Sequence, residues 1–212
     1  MGFPKATAGG GSDFKPVSAG IHPAICVGVI DFGIQEGSER FPKPKHKVHL
    51  RWACLDETVE WEKDGQRHSG PAIVGRTYTY SLAENGHMRP MLESWRARPF
   101  TEAELEGFDV SAVAGKPCQV SVVHETKNGK TYANVKTVVG WPKGAPVAEC
   151  ATPVVVYSPS DHKDSVFNAL PEWMRDTIEK RLANDYAELD AKNGAKPGAQ
   201  SQAHDFDDDI PF

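Results

Sequence analysis

The sequence predicts a mainly β protein: a five-stranded barrel with a helix between strands three and four, then a C-terminal helix and a disordered acidic tail. Three observations predict it. Runs of β-branched and aromatic residues recur between turn signals from Gly20 to Val139. The hydrophobic period becomes helical once within that stretch, between Met88 and Glu104. Beyond residue 190 the chain turns polar and Gly-rich, then acidic.

Residues 1–19, with Gly9-Gly10-Gly11-Ser12, read as a flexible lead. The barrel domain is expected over 20–144. Its first strand is the Ile- and Val-rich run Ile21 to Asp31, and its second is the alternating run Lys45 to Leu55. Thr58 to Trp61 is a short apolar-polar piece leading into Lys63-Asp64-Gly65-Gln66, a hairpin signal. Ala72 to Leu82, with Thr77-Tyr78-Thr79-Tyr80, reads as the third strand. Met88, Leu92 and Trp95 then fall at i, i+4 and i+7, one stripe of a helix that Pro99 stops. Thr101-Glu102-Ala103-Glu104 is a capping box that opens a second short helix. Strands resume at Pro117–His124 and Tyr132–Val139, joined through Asn128-Gly129, a two-residue hairpin signal. This order is that of the OB-fold, with another small β-barrel or a sandwich as the alternative.

Residues 145–165 read as a linker and 166–190 as an amphipathic helix, regular from Pro171. Its apolar stripe is Leu170, Met174, Ile178, Leu182, Tyr186 and Leu189. That stripe can pack on the barrel, or it can join a second copy or a partner. Residues 191–203 form a Gly/Ala/Gln/Ser tether, and 204–212 an acidic tip.

Composition excludes several classes. No run of about 18 apolar residues exists, and Met1 to Gly20 lacks the pattern of a signal peptide, so a cytoplasmic protein without a membrane span is expected. Cys26, Cys54, Cys118 and Cys150 lie far apart with no CxxC pair, which reads as reduced thiols rather than zinc ligands. The eight histidines form no HxH or HxxxH pair, and no phosphate-binding loop motif occurs. The carboxylates of 205–209 lie in an extended tail without preorganised metal geometry. A non-catalytic protein without metal or cofactor is expected.

The net charge of −5 is unevenly spread. Residues 20–144 hold sixteen Lys/Arg against fifteen Asp/Glu, and residues 145–212 hold six against thirteen. A near-neutral barrel can still bind phosphates if its cations share a face. The second strand supplies such a face. Lys45, Lys47, His49 and Arg51 alternate with Val48, Leu50 and Trp52, which separates a basic stripe from a core stripe. The alternative is an ordinary solvated strand face. In an OB-fold, strands two and three and the loops between strands one and two and between four and five take nucleic acid. Lys43 and Phe41 precede the stripe, and Lys127 and Lys130 flank Asn128-Gly129. Single strands also need aromatic faces for bases. Phe41, Tyr78 and Tyr80 are the first candidates, with Arg76 on the same face as the two tyrosines; Phe32, Trp61 and Tyr132 follow. Each is either platform or core.

The tip Asp205-Phe206-Asp207-Asp208-Asp209-Ile210-Pro211-Phe212 resembles, residue for residue, the acidic tip of bacterial single-stranded DNA-binding proteins. That resemblance implies a docking peptide for host replication, recombination and repair proteins. The Phe212 ring would fill a pocket while its terminal carboxylate pairs with a basic side chain, and the aspartates would speed encounter. The remainder lacks those proteins' Asn-x-Val-x-Leu-x-Gly-Asn strand and has His204 where the tip is usually preceded by Met.

Residues 20–185 look instead like a group of phage-encoded OB-fold proteins thought to bind single-stranded DNA. The carrying motifs are Leu92-Glu93-Ser94-Trp95-Arg96-Ala97-Arg98-Pro99-Phe100-Thr101, Gly115-Lys116-Pro117-Cys118, Tyr132-Ala133-Asn134-Val135 and Leu170-Pro171-Glu172-Trp173. The resemblance implies a phage or mobile-element protein that coats single-stranded DNA and recruits host enzymes. A decoy that occupies host repair or nuclease proteins, and a strand-annealing recombination mediator, are the alternatives. Homo-oligomerisation stays open.

Overall fold

The structure, a computed structural model, describes residues 16–193 apart from 64 and 148. Most of the expected lead and tether, and the whole tip, lie outside the described residues. The long strands are β1 Gly20–Gln35, β2 Lys45–Lys63, β3 Gln66–Thr79, β4 Pro117–Lys127 and β5 Lys130–Gly140, and a short β6 spans Val155–Tyr157. They form one sheet in the order β3-β2-β1-β4-β5, antiparallel throughout, with β6 added parallel to β1.

β1 organises the sheet. Its first half pairs with β4 and its second half with β2, overlapping at Ala24 and Ile25. Register shifts between Cys26 and Gly28 and between Asp31 and Gly33 bend it. Both its faces are covered, which explains its nearly unbroken apolar run. Ala24, Cys26 and Val29 face an inner core with Val48, Leu50 and Trp52 of β2, Val120 and Val122 of β4, and Val135 and Val138 of β5. Ile30 and Phe32 face outward into a second cluster with Tyr157, Leu170, Met174 and Ile178.

The helical segment fills the inner core. Helix α1, Met88–Arg96, buries Met88, Met91, Leu92 and Trp95, and the Trp95 indole N–H donates to the Pro117 carbonyl at 2.9 Å. The helix ends at Ala97, whose left-handed φ of 53° closes it two residues before Pro99. Helix α2, Glu102–Glu106, carries the expected capping box between Thr101 and Glu104. The β4–β5 turn has positive φ at Asn128 and Gly129, the geometry an Asn-Gly hairpin requires.

Three expectations need correction. The sheet is open: β3 and β5 are its two ends, and no ladder joins them among the described residues. Arg76 occupies that seam, its guanidinium 5.1 Å above the Tyr78 ring, and its Nη1 donates to the carbonyls of Val135 at 3.0 Å and Lys136 at 3.3 Å. Second, the helix expected over 166–190 is three short ones: α3 Asp164–Ala169, α4 Glu172–Glu179 and α5 Tyr186–Lys192. Pro171 starts α4 as its cap, and the chain leaves helix after Lys180 to pair with β1, where Ile34 N–H donates to Ala183 O and Leu182 N–H to Ile34 O, both at 2.8 Å. Third, the linker over 145–165 contains β6, which takes the edge of β1 beyond β4. The apolar stripe itself packs on the sheet through Leu170, Met174 and Ile178. Among the described residues no helix is long and apolar enough to cross a membrane.

Candidate nucleic-acid interface

The alternation expected in β2 is present. Val48, Leu50 and Trp52 are buried inward, and Lys47, His49 and Arg51 lie on the outer face. Their partners on that face are Gly33, Ile30 and Gly28 of β1 and Thr79, Thr77 and Gly75 of β3. Small residues thus flank the cations on the β3 side. At Gly75 a Cβ would come within 2.5 Å of the His49 ring, and at Gly28 within 3.0 Å of the Arg51 stem. The two glycines are what let the long side chains lie across the sheet.

The four stripe residues differ in character. Lys45 places its ammonium 5.2 Å from the Phe41 ring, which Arg40 also approaches at 5.5 Å. Lys47 donates to Thr79 Oγ1 at 2.8 Å. Arg51 is half-buried, makes no hydrogen bond or ion pair with any described residue, and has its pKa lowered by that burial. A partly desolvated cation without an anion is unfavourable in the free protein and favourable once a phosphate arrives. His49 is not a cation at neutral pH. It is 7% exposed, stacks on Phe32 at 5.6 Å and bonds Thr77 Oγ1 through Nδ1 at 2.8 Å. Burial, reinforced by the neighbouring Arg51 charge, pushes its pKa down to about 4.

The tyrosines separate. Tyr78, 3% exposed, belongs to the inner core, and burial pushes its hydroxyl up to about 12. It is therefore not a surface platform, and Arg76 beside it is engaged at the seam. Tyr80 lies just past β3, partly exposed and edge-on to His46 at 4.9 Å. Phe32 is buried under α4.

Loop residues Lys43 and Phe41 adjoin the C-terminal end of β1, where Gln35 pairs with Lys45. Lys127 and Lys130 face each other across the β4–β5 turn, which projects past the other end of β1, beyond the Gly20–Val122 pair. Both are exposed, as is Tyr132 at 49%. The register thus puts these two loop groups at opposite ends of β1. The β2–β3 arm projects at the same end as Lys127 and Lys130, with Trp61 stacked on His68 at 5.8 Å. Asp205, Phe206, Asp207, Asp208, Asp209, Ile210, Pro211 and Phe212 lie outside the described residues.

One exposed aromatic beside this face is not among the sequence candidates. Trp173, on the first turn of α4, stands perpendicular to His49 at 5.2 Å and to Phe32 at 6.1 Å, and remains 51% exposed. Its position depends on α4 crossing β1, a long-range contact that local periodicity does not report.

Other chemistry is sparse. Cys26, Cys54 and Cys118 are free and buried, and burial raises all three thiols, the first two to about 12. No cluster of three or more metal-ligating side chains occurs among the described residues. His22 is held by Asp56 through Nδ1 at 3.0 Å and by the Ser18 carbonyl through Nε2 at 2.9 Å. Burial opposes its charge, but the Ser18 bond and the Asp56 and Glu57 carboxylates outweigh it and raise the pKa. That histidine straps the segment before β1 to β2. No protein-family model matches the chain, and no match is found among curated proteins.

Proposed function

We propose that this chain is a non-catalytic single-stranded DNA-binding protein acting in phage or mobile-element replication or recombination. The sheet is then an OB-type barrel opened at the β3–β5 seam: its strand order, and its helix between β3 and β4, are those of that fold. The outer face of β2 and β3 grips the strand. The observation that carries the reading is Arg51, a half-buried guanidinium with no acidic partner among the described residues, in line with Lys47 on that face. Backbone phosphates attract cations on such a face without regard to sequence. Segment 205–212 acts separately, as an acidic-aromatic peptide docking basic, pocketed surfaces of host replication, recombination and repair proteins.

Reversing Lys45, Lys47 and Arg51 together to Glu tests the face. Affinity for a labelled single-stranded oligonucleotide should collapse while circular dichroism stays that of the parent. Unchanged affinity in the folded triple variant would reject this face. Absence of DNA binding in the parent, with docking by 205–212 intact, would instead favour a decoy.

A further inference from the structure

We infer that Trp173 is the base-stacking platform of this surface, with Lys47 and Arg51 holding the phosphates on either side of the stacked base. This rests on the proposed single-strand binding and names the residue that receives the base. Three independent observations point to it. The first is exposure with support. Trp173 is 51% exposed, yet its indole is braced perpendicular to His49 and Phe32. Those two rings stack on each other with an interplanar angle of 14° and are themselves buried. Helix α4 is anchored beneath by Met174 and Ile178 in the outer cluster, so the platform is rigid before any ligand arrives.

The second observation is position. His49, which Trp173 touches, sits midway between Lys47 and Arg51 on the same strand face. Each cation is two residues away, or about 6.6 Å along the strand. Lys47 and Arg51 are thus about 13 Å apart, the length of about two nucleotides of extended strand, and an aromatic midway between them can receive a base while the cations hold phosphates before and after it. The third is the floor. On β3, Gly75 and Thr77 border the far side of His49: the imidazole lies over Gly75 and bonds Thr77 Oγ1, so no bulky β3 side chain rises beside the ring that braces Trp173. His49 stays neutral there, so it braces the indole without competing for phosphate.

The experiment uses the full chain and an oligodeoxythymidine bearing one 5-iododeoxyuridine. Photocross-linked adducts are mapped by mass spectrometry, and affinities are measured for Trp173→Ala, Trp173→Leu and Trp173→Phe. Loss of a stacking ring should weaken binding about 5- to 150-fold in the Ala and Leu variants. Phe should retain most of the affinity, and the parent adduct should fall on Trp173. Leu keeps an apolar contact with His49 and Phe32, so it decides the matter should the Ala variant fail to fold. Parent-like affinity in the Ala or Leu variants, with adducts elsewhere, would overturn the platform and leave single-strand binding standing. A parent protein that does not bind the oligonucleotide would overturn both.

Discussion

Replacing Arg51 by Met should weaken single-stranded DNA binding and leave the fold at least as stable. The substitution isolates the charge. A Cβ on Gly28 would lie 3.0–3.3 Å from Arg51 Cδ, Cβ and Cγ, so it is the stem that packs on β1. Met keeps that stem and removes the guanidinium. In the free protein the charged group is half-buried without an anion, and its lowered pKa reports the cost of that desolvation. Removing it relieves that cost. In the complex, a charge-assisted bond to phosphate is worth about 1.5–3 kcal/mol. Its loss corresponds to roughly 10- to 150-fold weaker binding. One fewer neutralised phosphate should also flatten the slope of log affinity against log salt by about 0.7. Fluorescence anisotropy across a salt series reads both quantities, and thermal unfolding reads the third. A variant that is destabilised but binds DNA as tightly, with an unchanged slope, would make Arg51 a structural residue and not a phosphate contact.

Three further outcomes follow from the same geometry. Tyr78→Ala removes a buried ring from the inner core and should cost about 3–5 kcal/mol in urea unfolding, with the folded fraction keeping its DNA affinity; a stable variant that loses binding would return Tyr78 to the interface. His49 titrates near 4 when folded, against about 6.5 unfolded, so its contribution is present above pH 6.5 and is lost as pH falls from 6.5 toward 4. Between pH 7 and pH 5 this amounts to on the order of 2 kcal/mol, which His49→Phe should largely abolish in urea titrations at the two pH values; an equal loss in both proteins would count against a buried neutral imidazole. Deleting 205–212 should abolish pull-down of host enzymes while single-strand affinity stays the same or rises, the rise fading above about 0.15 M salt; partners retained after deletion would remove the docking role.

Local signals survived folding where the chemistry is local. The capping box at Thr101, the Asn128-Gly129 turn and the alternation of β2 all stand where the residues put them, because each is decided within a few positions. The apolar stripe of Leu170, Met174 and Ile178 was legible as a face but not as a length. Ala183 bonds to Ile34 of β1 instead of continuing a helix, and only the fold brings those residues together. The same holds for β6, a three-residue strand too short to announce itself. Within the site, alternation correctly put Lys47 and Arg51 outward, but it also put His49 there as a cation. The packing of α4 over Phe32 buried that imidazole and brought Trp173 beside it. For Tyr78 the choice between platform and core falls to core: a Thr-Tyr-Thr-Tyr run alternates without saying which face is inward, and pairing with the buried Val48 across the ladder decides it.

The most direct test is an equilibrium titration of the full chain with matched single-stranded and duplex oligonucleotides of several sequences at fixed salt. Binding should be tighter to the single strand than to the duplex, with little dependence on base sequence. Equal or tighter binding to the duplex, or no binding to either, would contradict the proposed single-strand binding.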